Sequence, residues 1–473
     1  MQVVNGQYQG LTPQEQQSKL LAQLDALGEV GVNTVFFQVR PEADALYKSS
    51  LEPWSRYLTG RQGAAPTVAW DPLQFMIDAC HARGMELHAW INPFRAKLKG
   101  LPMGELSPRH PYWSHPERFV AYDGLLLFDP GLQENRDYIC SVAADIVRRY
   151  DVDGLHIDDY FYPYPAAGQE FADDHTFASH RRGFTDKADW RRDNVNLFIE
   201  QLYRTVRETK PWVKFGVSPF GIYHNGTTSL VNGVPGSATA GLQNYDDLYA
   251  DVLLWIREGW VDYVVPQLYW EIGHKSADYV QLLSWWAQHV DGRHLYIGQD
   301  LERSLRATDI RNTHTNQLAN KFRMQRGWSS VDGYCWWYAD AVRSALATPA
   351  GRSYVCAVAP DTPALQPTMP WIDDKAPGAV SRPAVITTDD GPVLCWTAPT
   401  FRYEADRPVR YVVYRFANGE TVNLDDPTHI CGITDEPFFN LSDLQGTGKQ
   451  TFVVTALDRL HNESKGTRFK VRL

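Results

Sequence analysis

Two adjacent carboxylates, Asp158 and Asp159, stand in the segment Gly154-Leu155-His156-Ile157-Asp158-Asp159-Tyr160-Phe161-Tyr162-Pro163-Tyr164-Pro165. Adjacent acids repel each other and resist burial, so a strand ending in such a pair points to chemistry or a ligand at that end. The proline-broken aromatic run behind them supplies flat apolar faces beside the charge. Acids next to aromatic platforms suit cleavage of a glycosidic bond, which takes a proton donor for the leaving oxygen and a second carboxylate as nucleophile or base. Asp158 shares a strand face with His156 and is the inward candidate. Asp159 faces the other way on an ideal strand and stays a candidate because strand ends twist and bulge. A neighbouring carboxylate raises one pKa of the pair, which suits a general acid. The plainer assignment is that one of the two caps a loop or pairs with an arginine such as Arg95.

Other strand ends collect polar groups. Gln38-Val39-Arg40-Pro41-Glu42-Ala43-Asp44 closes one, and His88-Ala89-Trp90-Ile91-Asn92-Pro93-Phe94-Arg95 another. Pro266-Gln267-Leu268-Tyr269-Trp270-Glu271, Gln299-Asp300-Leu301-Glu302 and Cys335-Trp336-Trp337-Tyr338 close three more. Residues two apart share a face, which groups His88 with Trp90 and Asn92, His156 with Asp158 and Tyr160, and Gln267 with Tyr269. Such polar groups fit poorly under packing helices, so these faces are expected at the mouth of the fold. Glu271 and Asp300 are the candidate second acids. Arg40, His88, Asn92, Arg95, His156, Tyr160, Gln267 and Tyr269 are expected to bind or position a sugar. Trp54, Trp90, Trp113, Tyr162, Trp270 and Trp336 are expected as its platforms. His88 and His156 near carboxylates also suggest a metal. The segment 2–5 carries no His-x-His, however, so hydrogen bonding is preferred and neither a metal nor a cofactor is expected.

The elements that must position these residues follow from periodicity. The first helix opens on Thr12-Pro13-Gln14-Glu15, a capping box with proline at the first helical position. Apolar stripes at helical spacing run through 135–150, with Ile139, Val142, Ala143, Ile146, Val147 and Tyr150, and through 190–210, with Val195, Phe198, Ile199, Leu202 and Val206. Between helices lie β-rich runs at 2–5, 33–40, 86–92, 154–160, 214–219, 262–269, 294–299 and 333–338. Eight strands in strict alternation with helices predict a (β/α)8 barrel, in the α/β class. The long strand-to-helix connections (41–69, 93–132, 161–186 and 220–245) hold the irregular aromatic sequence, on the face where a barrel builds its site. An open doubly wound sheet is the alternative. No Gly-x-Gly-x-x-Gly follows an early strand to support it as a dinucleotide fold.

The chain has 473 residues, 44% apolar and 22% charged, with a net charge of −10. That is an ordinary globular balance, and the negative charge argues against nucleic acid as a partner. No apolar run approaches the roughly 18 residues of a membrane span. The six cysteines show no metal spacing. Cys80, Cys140 and Cys335 read as buried thiols, and a Cys395–Cys431 bridge is an open alternative. The barrel is expected over 1–350 and a Pro-rich linker over 351–375. A small β-sandwich over 376–473 shows short β patterns at regular spacing. Its Trp396 and Tyr411-Val412-Val413-Tyr414 resemble a fibronectin type III module, to which no catalysis is assigned.

Taken together, Phe37-Gln38-Val39-Arg40-Pro41 with Ala43-Asp44-Ala45-Leu46-Tyr47, the His88–Arg95 run, Asp153 through Pro163, Gly216-Val217-Ser218-Pro219-Phe220-Gly221 and Pro266-Gln267-Leu268-Tyr269-Trp270 resemble the glycosyl-hydrolase-like ten family. That family includes divisome-localised hydrolases of peptidoglycan glycan strands stripped of their peptides. The resemblance implies a (β/α)8 barrel, hydrolysis of a β-linked polysaccharide and an extracytoplasmic setting in a bacterium. Many of its members are lipoproteins, so a lipid anchor is expected on a removed N-terminus, the chain reading as trimmed within its first strand. A sandwich is not part of the family's core pattern. Two rival functions follow from the same residues: a barrel that binds carbohydrate without cleaving it, and a metal-dependent hydrolase or deacetylase.

Overall fold

The computed structural model describes residues 1, 8–309, 314–442, 444 and 448–472. Contacts divide the chain into two units. One comprises Met1–Leu27, Val35–Asp78 and Leu87–Val358; the other comprises Gly28–Thr34, Ala79–Glu86 and Ala359–Leu473.

The first unit is mixed α/β around one seven-stranded sheet. Its strands are β1 (Thr34–Arg40), β2 (Glu86–Ile91), β3 (Gly154–Ile157), β4 (Lys214–Val217), β5 (Tyr263–Val264), β6 (His294–Asp300) and β7 (Gly333–Trp337), hydrogen-bonded in chain order. The pairs from β2 to β7 are parallel. Parallel neighbours need crossovers, and each is supplied by a helix: α1 (Pro13–Glu29) precedes β1, and α2 (Pro72–His81), α3 (Gln133–Arg149), α4 (Lys187–Thr209), α5 (Val252–Arg257), α6 (Tyr279–His289) and α7 (Leu318–Arg326) link the strands, with α8 (Ala339–Leu346) after β7. The capping box forms as read: Glu15 accepts from the Thr12 N–H at 2.7 Å, and the Thr12 hydroxyl accepts from the Glu15 N–H at 3.2 Å. The apolar stripes of α3 and α4 are buried.

The sheet is strongly curled. Phe36 on β1 and Tyr263 on β5 are four strands apart, roughly 19 Å on a flat sheet, yet their ring centroids are 5.9 Å apart. Trp90 on β2 and Trp337 on β7 come within 6.1 Å. The expected first strand, 2–5, lies outside the described residues. The Met1 carbonyl accepts from the Gln38 N–H on β1 at 3.0 Å. Glycines make room inside the curl: a Cβ on Gly154 would lie 2.5 Å from the His88 ring, and one on Gly216 would lie 2.0 Å from the Tyr263 ring. Among the described residues no helix is long and apolar enough to cross a membrane. Pro349–Cys356 forms a further helix, α9, where a linker is expected to start.

The second unit is all-β after residue 380. Strands β8 (Ser381–Thr388), β9 (Gly391–Thr397) and β12 (Phe438–Asn440) form one sheet in the order β8-β9-β12. Strands β10 (Arg410–Ala417), β11 (Ile430–Thr434), β13 (Lys449–Leu457) and β14 (Thr467–Arg472) form another in the order β11-β10-β13-β14. Both are antiparallel, and Leu394, Trp396, Tyr411, Val413, Phe452 and Val454 pack into one core between them. Cys395 and Cys431 are both free thiols, so the bridge considered from sequence does not form.

Candidate active site

Strand β3 ends at Ile157, and the chain bends at Asp159. The strict alternation expected at 158–160 is therefore lost, and both carboxylates are buried, Asp158 at 5% exposure and Asp159 at 2%. Register places Ile91 beside Ile157, which brings Asn92, just past β2, level with Asp158. The Asn92 side-chain N–H donates to Asp158 Oδ2. The Asn92 amide oxygen accepts from Gln38 Nε2 at 2.8 Å and from Arg95 Nη2 at 2.5 Å. Arg95 also donates to the Pro41 carbonyl at 2.7 Å and stacks its guanidinium 5.4 Å from the Tyr160 ring.

Asp158 Oδ1 is buried and has no hydrogen-bond partner. The Trp90 indole N–H faces the carboxyl closely enough to favour its charge, but it too makes no bond of normal geometry. Burial pushes the Asp158 pKa up, Arg95 pulls it down and Asp159 pushes it up again, leaving it at about 7. Burial likewise raises Asp159, against hydrogen bonding from Tyr164 and Gln267 and the charge of Arg95, to about 6. The Tyr164 hydroxyl donates to Asp159 Oδ2, and its ring stacks on Tyr160 at 5.3 Å. Gln267 is tied to the Ser218 carbonyl at 2.9 Å.

An aromatic wall borders the pair. Trp337 meets Trp90 at 6.1 Å and lies nearly parallel to Tyr269 at 6.1 Å. Burial and the nearby Cys335 and Asp159 raise the Tyr269 pKa well above the usual tyrosine range. Trp270 packs on Phe220 at 5.4 Å, and Tyr160 is 38% exposed.

Several expected site residues are placed elsewhere. His88 and His156 do not reach the mouth. Their Nδ1 atoms lie 2.7 and 3.1 Å from the Tyr263 hydroxyl, which can donate to only one of them and accepts from the other. Phe36 stacks on His156 at 4.1 Å, and burial, with His88 beside it, holds the His156 pKa well below the usual histidine range. These rings form an interior layer, where polar groups are tolerated because they satisfy one another. Arg40 is fully buried; it pairs with Glu52 at 2.7 Å and donates to the Asn92 and Pro93 carbonyls at 2.7 and 2.9 Å, so it positions the site rather than meeting a sugar. Tyr162 is a packing residue, its hydroxyl taking Asn194 Nδ2 at 3.0 Å and its ring covered by Arg191. Trp336 turns to the helix side, 6.0 Å from Phe322 on α7. Its neighbour Trp337 takes the place expected of it.

The candidate second acids are already engaged. Glu271 pairs with Arg303 at 2.8 Å; burial opposes its charge, but its own backbone N–H and Arg303 hold its pKa below the usual range. Asp300 caps the helix Leu301–Arg306, accepting from the Arg303 N–H at 2.8 Å. Glu42 pairs with Arg56 and Asp340 with Arg343. Two residues beside the acid pair escape a reading of the sequence: Tyr164, in the irregular loop, and Trp337. The alternation that puts Cys335 inward is the signal that would have found Trp337.

The chain matches the family described as Glycosyl hydrolase-like 10 over residues 3–314. It is 37% identical over 467 residues to Glycosyl hydrolase YngK of Bacillus subtilis (strain 168), covering 97% of this chain and 89% of that protein. It is 40% identical over 293 residues to Glycosyl hydrolase DigH of Escherichia coli (strain K12), covering 60% of this chain and 65% of that one. Among solved structures it is similar to the PgaB (BpsB) glycoside hydrolase domain from Bordetella bronchiseptica, with a TM-score of 0.44 and 11% identity over 72% of this chain and 93% of that one.

Proposed function

The chain belongs to the glycosyl hydrolase-like 10 family and is a glycoside hydrolase; from that premise we propose that Asp158 and Asp159 supply its acid–base chemistry and that its substrate is the glycan strand of peptide-free peptidoglycan. The observation that carries the first part is the burial of both carboxyls against Arg95, with pKa values of about 7 and about 6. Carboxyls raised into that range exchange protons near neutral pH. The wall of Trp90, Trp337 and Tyr269 supports a carbohydrate ligand, since aromatic faces pack against the C–H faces of pyranose rings.

Substrate and setting rest on the resemblance of the sequence motifs. In this reading the enzyme works outside the cytoplasm, in the cell envelope. A lipid anchor on an upstream segment belongs to the same proposal. The C-terminal sheets read as a fibronectin type III-like module, a view supported by the three-strand and four-strand sheet orders. Incubation with denuded peptidoglycan glycan and a panel of neutral polysaccharides tests the proposal: new reducing ends from the glycan, lost in Asp158→Asn, are expected. Cleavage of a neutral polysaccharide alone replaces the substrate, and full activity of Asp158→Asn removes the site.

A further inference from the structure

Glycoside hydrolysis by protein groups alone takes two carboxyls on opposite sides of the sugar, about 5–5.5 Å apart for retention and about 6.5–9.5 Å for inversion. Here Glu42, Glu271 and Asp340 are committed to arginines and Asp300 to a helix N-terminus. Asp44 is buried and held by the Glu42 N–H at 3.1 Å and the Gln62 amide at 3.1 Å. Among the described strand-end acids Asp158 and Asp159 remain, adjacent in the chain with Cα atoms about 3.8 Å apart. The bend at Asp159 sets both under the influence of Arg95. Two groups held on one side of a cleft do not flank a sugar.

Asp158 Oδ2 takes the Asn92 N–H, whereas Asp158 Oδ1 is buried and makes no hydrogen bond of normal geometry, the Trp90 indole N–H being the protein donor that faces the carboxyl. Buried polar atoms are nearly always satisfied, so an unsatisfied one beside an aromatic wall marks the place for a donor on a ligand. A donor on a sugar satisfies it, a hydroxyl O–H or the N–H of an acetamido group, and only the second also carries a nucleophile.

We propose that the nucleophile is the substrate's own 2-acetamido group, that Asp158 Oδ1 accepts its N–H, and that Asp159 gives and takes the proton. This rests on the reading of the site as a glycan-cleaving one. In the first step the acetamido carbonyl oxygen bonds to C1 as the C1–O bond to the leaving sugar breaks. The electron pair goes to the leaving oxygen, which takes the Asp159 proton. The oxazolinium ion formed keeps its N–H on Asp158. In the second step water attacks C1, the Asp159 carboxylate takes a water proton, and the C1–O bond of the oxazolinium ring breaks to restore the acetamide. Water is the co-reactant, nothing is oxidised or reduced, and two displacements at C1 leave its configuration retained. The substrate class is thereby a β-linked 2-acetamido sugar, whose amide can reach C1 from behind.

The test uses denuded glycan that has been N-deacetylated and then re-acylated with acetyl or trifluoroacetyl groups, given to the full chain. Trifluoroacetyl draws electrons from the attacking oxygen, so its glycan is expected to be cleaved on the order of 10²-fold more slowly, the scale of losing one catalytic group. NMR is expected to show the first product with retained anomeric configuration. On an aryl 2-acetamido glycoside, whose leaving group needs no proton, Asp159→Asn is expected to keep most of its bond-breaking rate and Asp158→Asn to lose it. Inverted product, or similar rates on the two glycans, overturns the inference while leaving the glycosidase reading intact. Cleavage of only a polysaccharide without acetamido groups does the same. No cleavage of any polymer overturns both.

Discussion

Asn92 presents its amide nitrogen to Asp158 because its amide oxygen is already taken by Gln38 and Arg95. An amide so occupied cannot flip without losing two donors, and Arg40 holds the adjoining backbone through the Asn92 and Pro93 carbonyls. Gln38, Arg40 and Arg95 thus decide which face of Asn92 Asp158 is offered.

Replacing Asn92 by Asp keeps the bonds to Gln38 and Arg95 and puts a like charge where a donor was. The Asp158 pKa is then expected to rise further. Since Asp158 has to be ionised to offset the positive charge of the oxazolinium N–H, the acidic limb of kcat/KM against pH moves to higher pH. An unmoved limb removes Asn92 from this role.

The wild-type profile itself is expected to be a narrow bell. With Asp158 at about 7 and Asp159 at about 6, the pair carries a single proton between those values, mostly on Asp158; the working form, with that proton on Asp159, is the minor arrangement of the same singly protonated pair and rises and falls with it. Tyr164→Phe removes a donor to Asp159, raises its pKa and extends the alkaline limb upward. A flat profile from pH 5 to 9 contradicts the assignment.

Stability is expected to run against activity at Asp158. Its folded-state pKa, about 7, lies above the ordinary 3.8. Between the two the folded chain holds the extra proton, so stability is lost as pH rises through that window. Asp158→Asn removes the titration. It should melt above the wild type at pH 8, by on the order of 2–4 °C per kcal/mol relieved, and no differently at pH 3, while its kcat falls by roughly 10²–10⁴-fold. Thermal melts at both pH values decide it.

Trp337 and Trp336 are adjacent and should behave oppositely. Trp337→Ala removes a ring from the wall beside Trp90 and Tyr269 and is expected to raise KM about tenfold with little change in melting temperature. Trp336→Ala removes a half-buried ring from Phe322 and is expected to lower stability by roughly 1–3 kcal/mol with KM unchanged. Steady-state kinetics and denaturant melts on both variants separate the two.

The strands, the helices and the acid pair were legible because each rests on local periodicity. What lay beyond the sequence depended on which face a strand shows after it curls. His88 and His156 read as mouth residues because polar groups shun packing helices, but a curled sheet has an interior that accepts them once Tyr263 answers both. The face of Trp336 against Trp337 turns on a single residue of register in β7. Glu271 looked free because its partner Arg303 lies in the helix after β6, far along the chain, whereas Asp300 caps that helix at the i to i+3 spacing, a local signal that its acidity masked.

The glycines inside the curl bear on how this fold can change over time. A methyl group on residue 216 would lie 2.0 Å from the Tyr263 ring, and one on residue 154 would lie 2.5 Å from the His88 ring. Neither small residue can grow until its partner shrinks. In a lineage of such enzymes positions 154 and 88, and positions 216 and 263, are therefore expected to drift as linked pairs, each change in one recorded by a compensating change in the other.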